Sequence, residues 1–156
     1  MRGLRMRDYL LARGAEQGCC EPAHRAVVPQ NGLNMPRLYQ TKVWQLQIPD
    51  TWTVEDGCGQ ELVTFFRPDG IGILKVLMAD QQSSHQTGGG EDFRGRLPGK
   101  TWALTHGASF SRTWALSCRG RKLYVRYSCA AHNAESERLE VDEIVASISE
   151  SDSQAA

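Results

Sequence analysis

Apolar side chains recur at every second position in one segment of this chain after another, and a period of two describes a strand with one buried face. Trp44, Leu46 and Ile48 alternate with Gln45 and Gln47. Phe110, Trp114, Leu116 and Cys118 share a face of a later segment, and Leu123, Val125, Tyr127 and Cys129 share a face of the next. Turn residues punctuate the runs at Pro49-Asp50, Asp56-Gly57, Gly107 and Gly120-Arg121. Strands joined by turns this short pair antiparallel. The expected class is α+β, with an antiparallel sheet of about six to seven strands.

The stretch FFRPDGIGILKV, Phe65 to Val76, sets the centre of that sheet. Pro68 presets the first turn position, Asp69 suits the second, and Gly70 takes the left-handed place that closes a three-residue hairpin. With Arg67 facing Ile71, Phe66 falls opposite Gly72, Thr64 opposite Leu74 and Leu62 opposite Val76. The other face then carries Val63, Phe65, Ile71, Ile73 and Leu77, broken only by Lys75. Both faces are mainly apolar, so the hairpin is expected to be covered on both sides.

A two-residue turn at Gly120-Arg121 pairs Cys118 with Leu123, Leu116 with Val125 and Trp114 with Tyr127. Cys129 then lies opposite Arg112, about 20 Å from Cys118 at ~3.3 Å per residue, which no disulfide spans. The five cysteines, Cys19, Cys20, Cys58, Cys118 and Cys129, are an odd set without zinc-type spacing, as expected of free thiols in a reducing cytoplasm. The basic start of the chain lacks the apolar centre of a signal peptide, interrupted as it is by Asp8, Arg13 and Glu16.

The ends and one interior stretch depart from the strand pattern. Residues 1–34 hold Pro22, Pro29 and Asn31-Gly32 without a sustained apolar period, and read as a loose extension or as an arm that docks elsewhere. Residues 80–99 read as a long surface loop with one helical turn near Glu91 to Arg94. From Asn133 onward, Ala134, Val141, Ile144, Val145 and Ile148 recur at helical steps, giving an amphipathic helix for one sheet face. After Ser149 the chain reads as a frayed tail. A single domain over 35–150 is the natural division, with 151–156 outside it.

Charge and motifs exclude more than they assign. Eighteen basic and eighteen acidic side chains cancel, leaving no general field for nucleic acid or an anionic membrane. No apolar run reaches the roughly 18 residues that span a bilayer. His24, His85, His106 and His132 are scattered without metal-ligand spacing, and no nucleophile-elbow or phosphate-loop motif is present, so neither a metal nor another cofactor is implied. Cys58, between Gly57 and Gly59, is the candidate reactive thiol, against the plainer reading of an inert turn residue. Arg119, Arg121 and Lys122 cluster at one hairpin tip and, with Arg112 and Arg126, form a candidate basic strip for an acidic protein partner, against the plainer reading of a solvated tip. Trp44, Trp52, Trp102 and Trp114 sit at alternating strand positions, where a tryptophan belongs to a core more often than to a stacking platform.

The LQIPDTW strand and turn, the FFRPDGIGIL hairpin, the LYVRYSC strand and the final amphipathic helix together resemble small bacterial proteins with the PsbP-like fold, over about Trp44 to Ser149. The resemblance implies an antiparallel sheet with helices on its faces, and binding more readily than catalysis; it carries over no catalytic residue. The expected function is that of a cytoplasmic, non-catalytic interaction or accessory module, of the assembly or immunity type, with a protein partner or self-association. Binding of a small apolar ligand and cysteine-dependent catalysis are the alternatives. The C-terminal helix is expected to cover one sheet face; the cover of the other is residues 80–99, residues 1–34 or a second protein.

Overall fold

The computed structural model describes residues 35–56, 62–79 and 89–152. They form ten strands and one α-helix in the order β1 (Arg37–Gln40), β2 (Trp44–Ile48), β3 (Thr53–Asp56), β4 (Leu62–Phe66), β5 (Ile73–Ala79), β6 (Glu91–Arg94), β7 (Pro98–His106), β8 (Ser109–Cys118), β9 (Arg121–Ala130), α1 (Arg138–Ala146) and β10 (Ser149–Glu150). All described pairings are antiparallel. Seven strands make one sheet in the order β3-β4-β5-β9-β8-β7-β6, and β1-β2-β10 make a second, smaller one.

The strands rich in alternation lie where the period places them. Trp44, Leu46 and Ile48 are buried on β2; Trp114, Leu116 and Cys118 on β8; Leu123, Val125 and Tyr127 on β9. These residues and Phe65, Leu74 and Val76 join residues of the small sheet in one buried cluster, with Val141, Ile144 and Val145 of α1 inside it. Tyr39 of β1 meets the Phe65 ring edge-on at 5.2 Å, a favoured aromatic geometry that locks the two sheets together.

The 65–76 hairpin corrects the expected register by one residue. Phe65 faces Leu74, Val63 faces Val76 and Phe66 faces Ile73. The Pro68-Asp69 turn forms, with the Gly70 N–H on the Arg67 carbonyl at 3.0 Å, yet the ladder does not resume until Ile73. The cause lies outside the hairpin. The buried Glu137 carboxylate accepts hydrogen bonds from the Ile71 and Gly72 amides, each at 3.1 Å, and from the Tyr127 hydroxyl at 2.8 Å. Amides bound to Glu137 are not given to β4. Gly72 fits there because a β-carbon would lie 2.3 Å from the Tyr127 ring. Since a one-residue slip exchanges the faces of a strand, the double cover expected for the hairpin is not found: Leu74, Val76 and Met78 are buried, whereas Ile71, Ile73 and Leu77 are 41%, 44% and 39% exposed.

The β8–β9 hairpin is shifted by two residues, which preserves the faces. Cys118 pairs with Arg121, Leu116 with Leu123 and Trp114 with Val125. The turn is Arg119-Gly120, with φ of 48° and 75°. Two positive φ values suit the right-handed twist of a hairpin. Arg119 is held in this conformation by its amide on Glu150 Oε1, at 2.9 Å, and by its guanidinium on the Ser151 carbonyl.

Three other expectations change. Glu91–Arg94 is strand β6, paired with β7, rather than a helical turn. The helix begins at Arg138, after a short 3-10 turn over Ala131–Asn133 that leaves Ala134 outside α1. In place of a frayed end, Ser149–Glu150 pair with β2, and Ser151 is buried with its amide on the Val43 carbonyl at 3.0 Å.

Two buried tyrosines give the fold a defined response to alkali. Burial, then the hydrogen bond to Asp56 at 2.7 Å, pushes the Tyr39 phenol far above its ordinary value of 10.0. Burial, then the bonds to Glu137 and Cys129, does the same to Tyr127. A phenol raised by folding stays protonated in the native chain while the unfolded chain ionises. Its contribution is therefore complete below about pH 10 and is lost above it, at about 1.4 kcal/mol per pH unit for each tyrosine. Denaturant midpoints are expected to decline once pH passes about 10, and Tyr39→Phe is expected to roughly halve that slope. Ionisation of all tyrosines near pH 10 with the fold intact would contradict it.

Candidate functional site

The register assigns every strand residue to one of two faces of the large sheet. One face supplies the buried cluster. On the outer face, Ile73 lies beside Ser128, Ser111 and Leu104 in one row across β5, β9, β8 and β7. Lys75 lies beside Arg126, Thr113 and Trp102 in the next, and Leu77 beside Tyr124, Ala115 and Lys100 in the third. Leu104 is 60% exposed, and Trp102 and Tyr124 are half-buried. Ile73, Leu77 and Leu104 stay exposed, whereas Ala115 in the third row is buried. Exposed apolar side chains interspersed with charge are a common property of association surfaces.

The charges on this face are unbalanced. Lys75 and Arg126 stand directly opposite each other on β5 and β9, an arrangement of like charges that weakens a strand pair. Among the described residues neither forms an ion pair; Arg126 reaches only the Ser111 hydroxyl, at 3.4 Å, and Lys122 the Ser117 hydroxyl, at 3.0 Å. Asp92 is already held by Lys100 at 2.6 Å, which keeps its carboxyl below the usual range.

The five cations expected to share one strip separate. Lys122 and Arg126 are on the outer face, where Lys75 joins them. Arg119 is tied to Glu150 and Ser151, and Arg121 sits beside the turn, opposite Cys118. Arg112 belongs to the other face: its guanidinium lies 5.0 Å from the Trp114 ring and bonds Asp142 at 2.9 and 3.1 Å. Lys75 was visible in the sequence only as a break in an apolar run; its meaning depends on which strand lies beside β5.

Cys58 lies outside the described residues, as do Cys19, Cys20, His24 and His85. Cys118 and Cys129 are free thiols, and Cys129 lies opposite Phe110, eight residues along β8 from Cys118. Burial, then the Glu150 charge, pushes the Cys118 thiol up, the reverse of what a nucleophile needs. Among the described residues no three ligand-type side chains converge as a metal site, and no helix is long and apolar enough to cross a membrane.

No family model matches this chain, and no curated protein matches it. Among solved structures, a protein from Bacteroides thetaiotaomicron VPI-5482 is similar at 12% identity and a TM-score of 0.53, covering 70% of this chain and 46% of that one. The chain thus spans less than half the length of that relative, and the likeness is one of fold. Cyanobacterial PsbP (CyanoP) from Synechocystis sp. PCC 6803 is also similar, at 12% identity and a TM-score of 0.47, covering 80% of this chain and 98% of that one.

Proposed function

We propose that this protein is a non-catalytic interaction module, of the assembly or immunity kind, that docks the outer face of its seven-stranded sheet onto an acidic, partly apolar surface of a partner protein in the cytoplasm. The observation that carries this reading is the opposed pair Lys75 and Arg126, with Lys122 nearby, set without carboxylate partners among exposed Ile73, Leu77 and Leu104. Like charges facing each other weaken the free sheet, and an acidic partner would relieve them. Helix α1 and the small sheet cover the opposite face in this reading. The thiols of Cys118 and Cys129 support a reducing compartment.

The test is capture from native cytosol by the tagged full chain, beside the double variant Lys75→Glu with Arg126→Glu. The expected result is a partner whose retention falls at least about tenfold in the folded double variant and declines with added salt. It is restored when acidic residues of that partner are exchanged for lysine. Capture that ignores the charge reversal, or no partner at all, would overturn the proposal. So would a homodimer dissociated by Ile73→Glu, which would assign the face to self-association.

A further inference from the structure

A depression of about 490 Å³ opens on the outer face near the β7–β8 turn, lined by Leu104, His106, Ser109, Ser111, Arg126 and Ser128. The strand register gathers these side chains. Ser111 directly faces Ser128, with Leu104 beyond it on β7 and Ile73 beyond Ser128 on β5, and His106 lies beside Ser109 in the neighbouring row.

No carboxylate lines this depression. The Arg126 guanidinium carries five N–H donors; it reaches the Ser111 hydroxyl at 3.4 Å, and among the described residues its remaining donors have no acceptor. The Ser109 and Ser128 hydroxyls likewise have no partner among the described residues. Lys75, opposite Arg126, adds a second positive charge. Glu55, the carboxylate in the same row, lies two strands beyond Lys75 and three beyond Arg126, about 14 Å from the latter at ~4.8 Å per strand. Glu137, on the inner side of the sheet, is occupied by the Ile71 and Gly72 amides and the Tyr127 hydroxyl. The depression and its border therefore carry an excess of positive charge together with neutral hydroxyl donors.

We infer, on the reading of this face as a docking surface, that the acidic group it takes is a phosphorylated serine or threonine side chain of the partner protein, its phosphate on the Arg126 guanidinium and the Ser111 and Ser128 hydroxyls. A phosphomonoester carries a charge of about −1.5 to −2 and three acceptor oxygens. It matches two cations and several hydroxyl donors, which a carboxylate, with two oxygens and one charge, leaves partly unused. Guanidinium bonds to phosphate are charge-assisted and forked. The ends of the row set the sequence context. Ile73 and Leu104, 44% and 60% exposed, stand three strand spacings apart, about 14 Å, with the two serines between them. An extended segment crossing the strands sets the side chains of one face about 7 Å apart. Residues two positions before and after the phosphorylated one therefore reach Leu104 and Ile73, and apolar residues suit both positions.

The probes are pentapeptides with leucine at both ends, alanine at the second and fourth positions and phosphoserine, serine or glutamate in the centre, together with inorganic phosphate. They are titrated into the full chain and read from the backbone amide NMR signals of Leu104, Ser111, Arg126 and Ser128. The phosphoserine peptide is expected to bind saturably with a Kd of about 0.5 mM, the serine peptide at least about tenfold more weakly, and the glutamate peptide and inorganic phosphate at least about fivefold more weakly. Ser111→Ala with Ser128→Ala keeps both cations and is expected to weaken the phosphoserine peptide at least about fivefold, to the level of the glutamate peptide. Absence of saturable binding of the phosphoserine peptide up to about 10 mM would overturn the inference. Equal affinity for the glutamate peptide or inorganic phosphate, or binding indifferent to the paired serine substitutions, would also overturn it. In each of these cases partner capture that still falls on reversal of Lys75 and Arg126 leaves the docking reading standing, whereas capture that ignores the reversal sinks the docking reading whatever the peptides do.

Discussion

Leu74→Glu is expected to abolish folding, whereas Ile73→Glu, one residue earlier on the same strand, leaves a protein whose melting temperature falls by no more than about 3 °C, equivalent to about 1 kcal/mol for a domain of this size. Leu74 is fully buried opposite Phe65, so the charged side chain has neither water nor a partner. Losing the leucine alone costs about 2–5 kcal/mol, and a buried unpaired carboxylate adds several more, which together exceed or match the whole stability of a typical domain. Ile73, 44% exposed, points to the opposite face, where a carboxylate stays hydrated near Lys75 and Arg126. Circular dichroism melts of the two variants decide the register. Equal destabilisation would mean that both faces are buried.

Glu137→Ala is expected to cost about 3–5 kcal/mol, because truncation strands two backbone amides and a phenol that all bond one buried carboxylate. Glu137→Gln keeps one accepting oxygen, enough for Gly72 and Tyr127, but sets its amide nitrogen, which cannot accept, against the Ile71 N–H, so its cost is expected at about 2–3 kcal/mol. Gly72→Ala attacks the same junction from the other side, by driving a methyl group into the Tyr127 ring, and is expected to cost about 1–3 kcal/mol. Urea unfolding of the three variants measures the series. A cost below about 1 kcal/mol for Glu137→Ala would show that the loop before β5 is held by something other than this carboxylate.

Both expectations rest on pairings that no local pattern in the chain announces. Alternation is local, so β2, β8 and β9 and their buried faces could be read residue by residue. Pairing is not local. The hairpin register at 65–76 depends on Glu137, which lies 65 positions beyond Gly72 in the chain. Ser149–Glu150 become a strand only because β2 offers an edge. Glu91–Arg94, polar and short, likewise gains its strand from β7 rather than from its own pattern. The candidate site followed the same rule: Lys122 and Arg126 were evident as cations, but their relation to Lys75, and the removal of Arg112 to the opposite face, required the strand order.

The proposed docking surface requires the outer face of the large sheet to be open in the chain alone. Hydroxyl-radical footprinting of the isolated full chain, read by mass spectrometry, tests it most directly. Ile73, Leu77, Leu104 and the half-buried Trp102 are expected to oxidise at rates that, corrected for each side chain's intrinsic reactivity, follow their exposure relative to the 79% exposed Leu139 on α1. Protection of these four side chains in the monomeric full chain, with Leu139 freely oxidised, would contradict it and would show that the protein covers this face with its own residues.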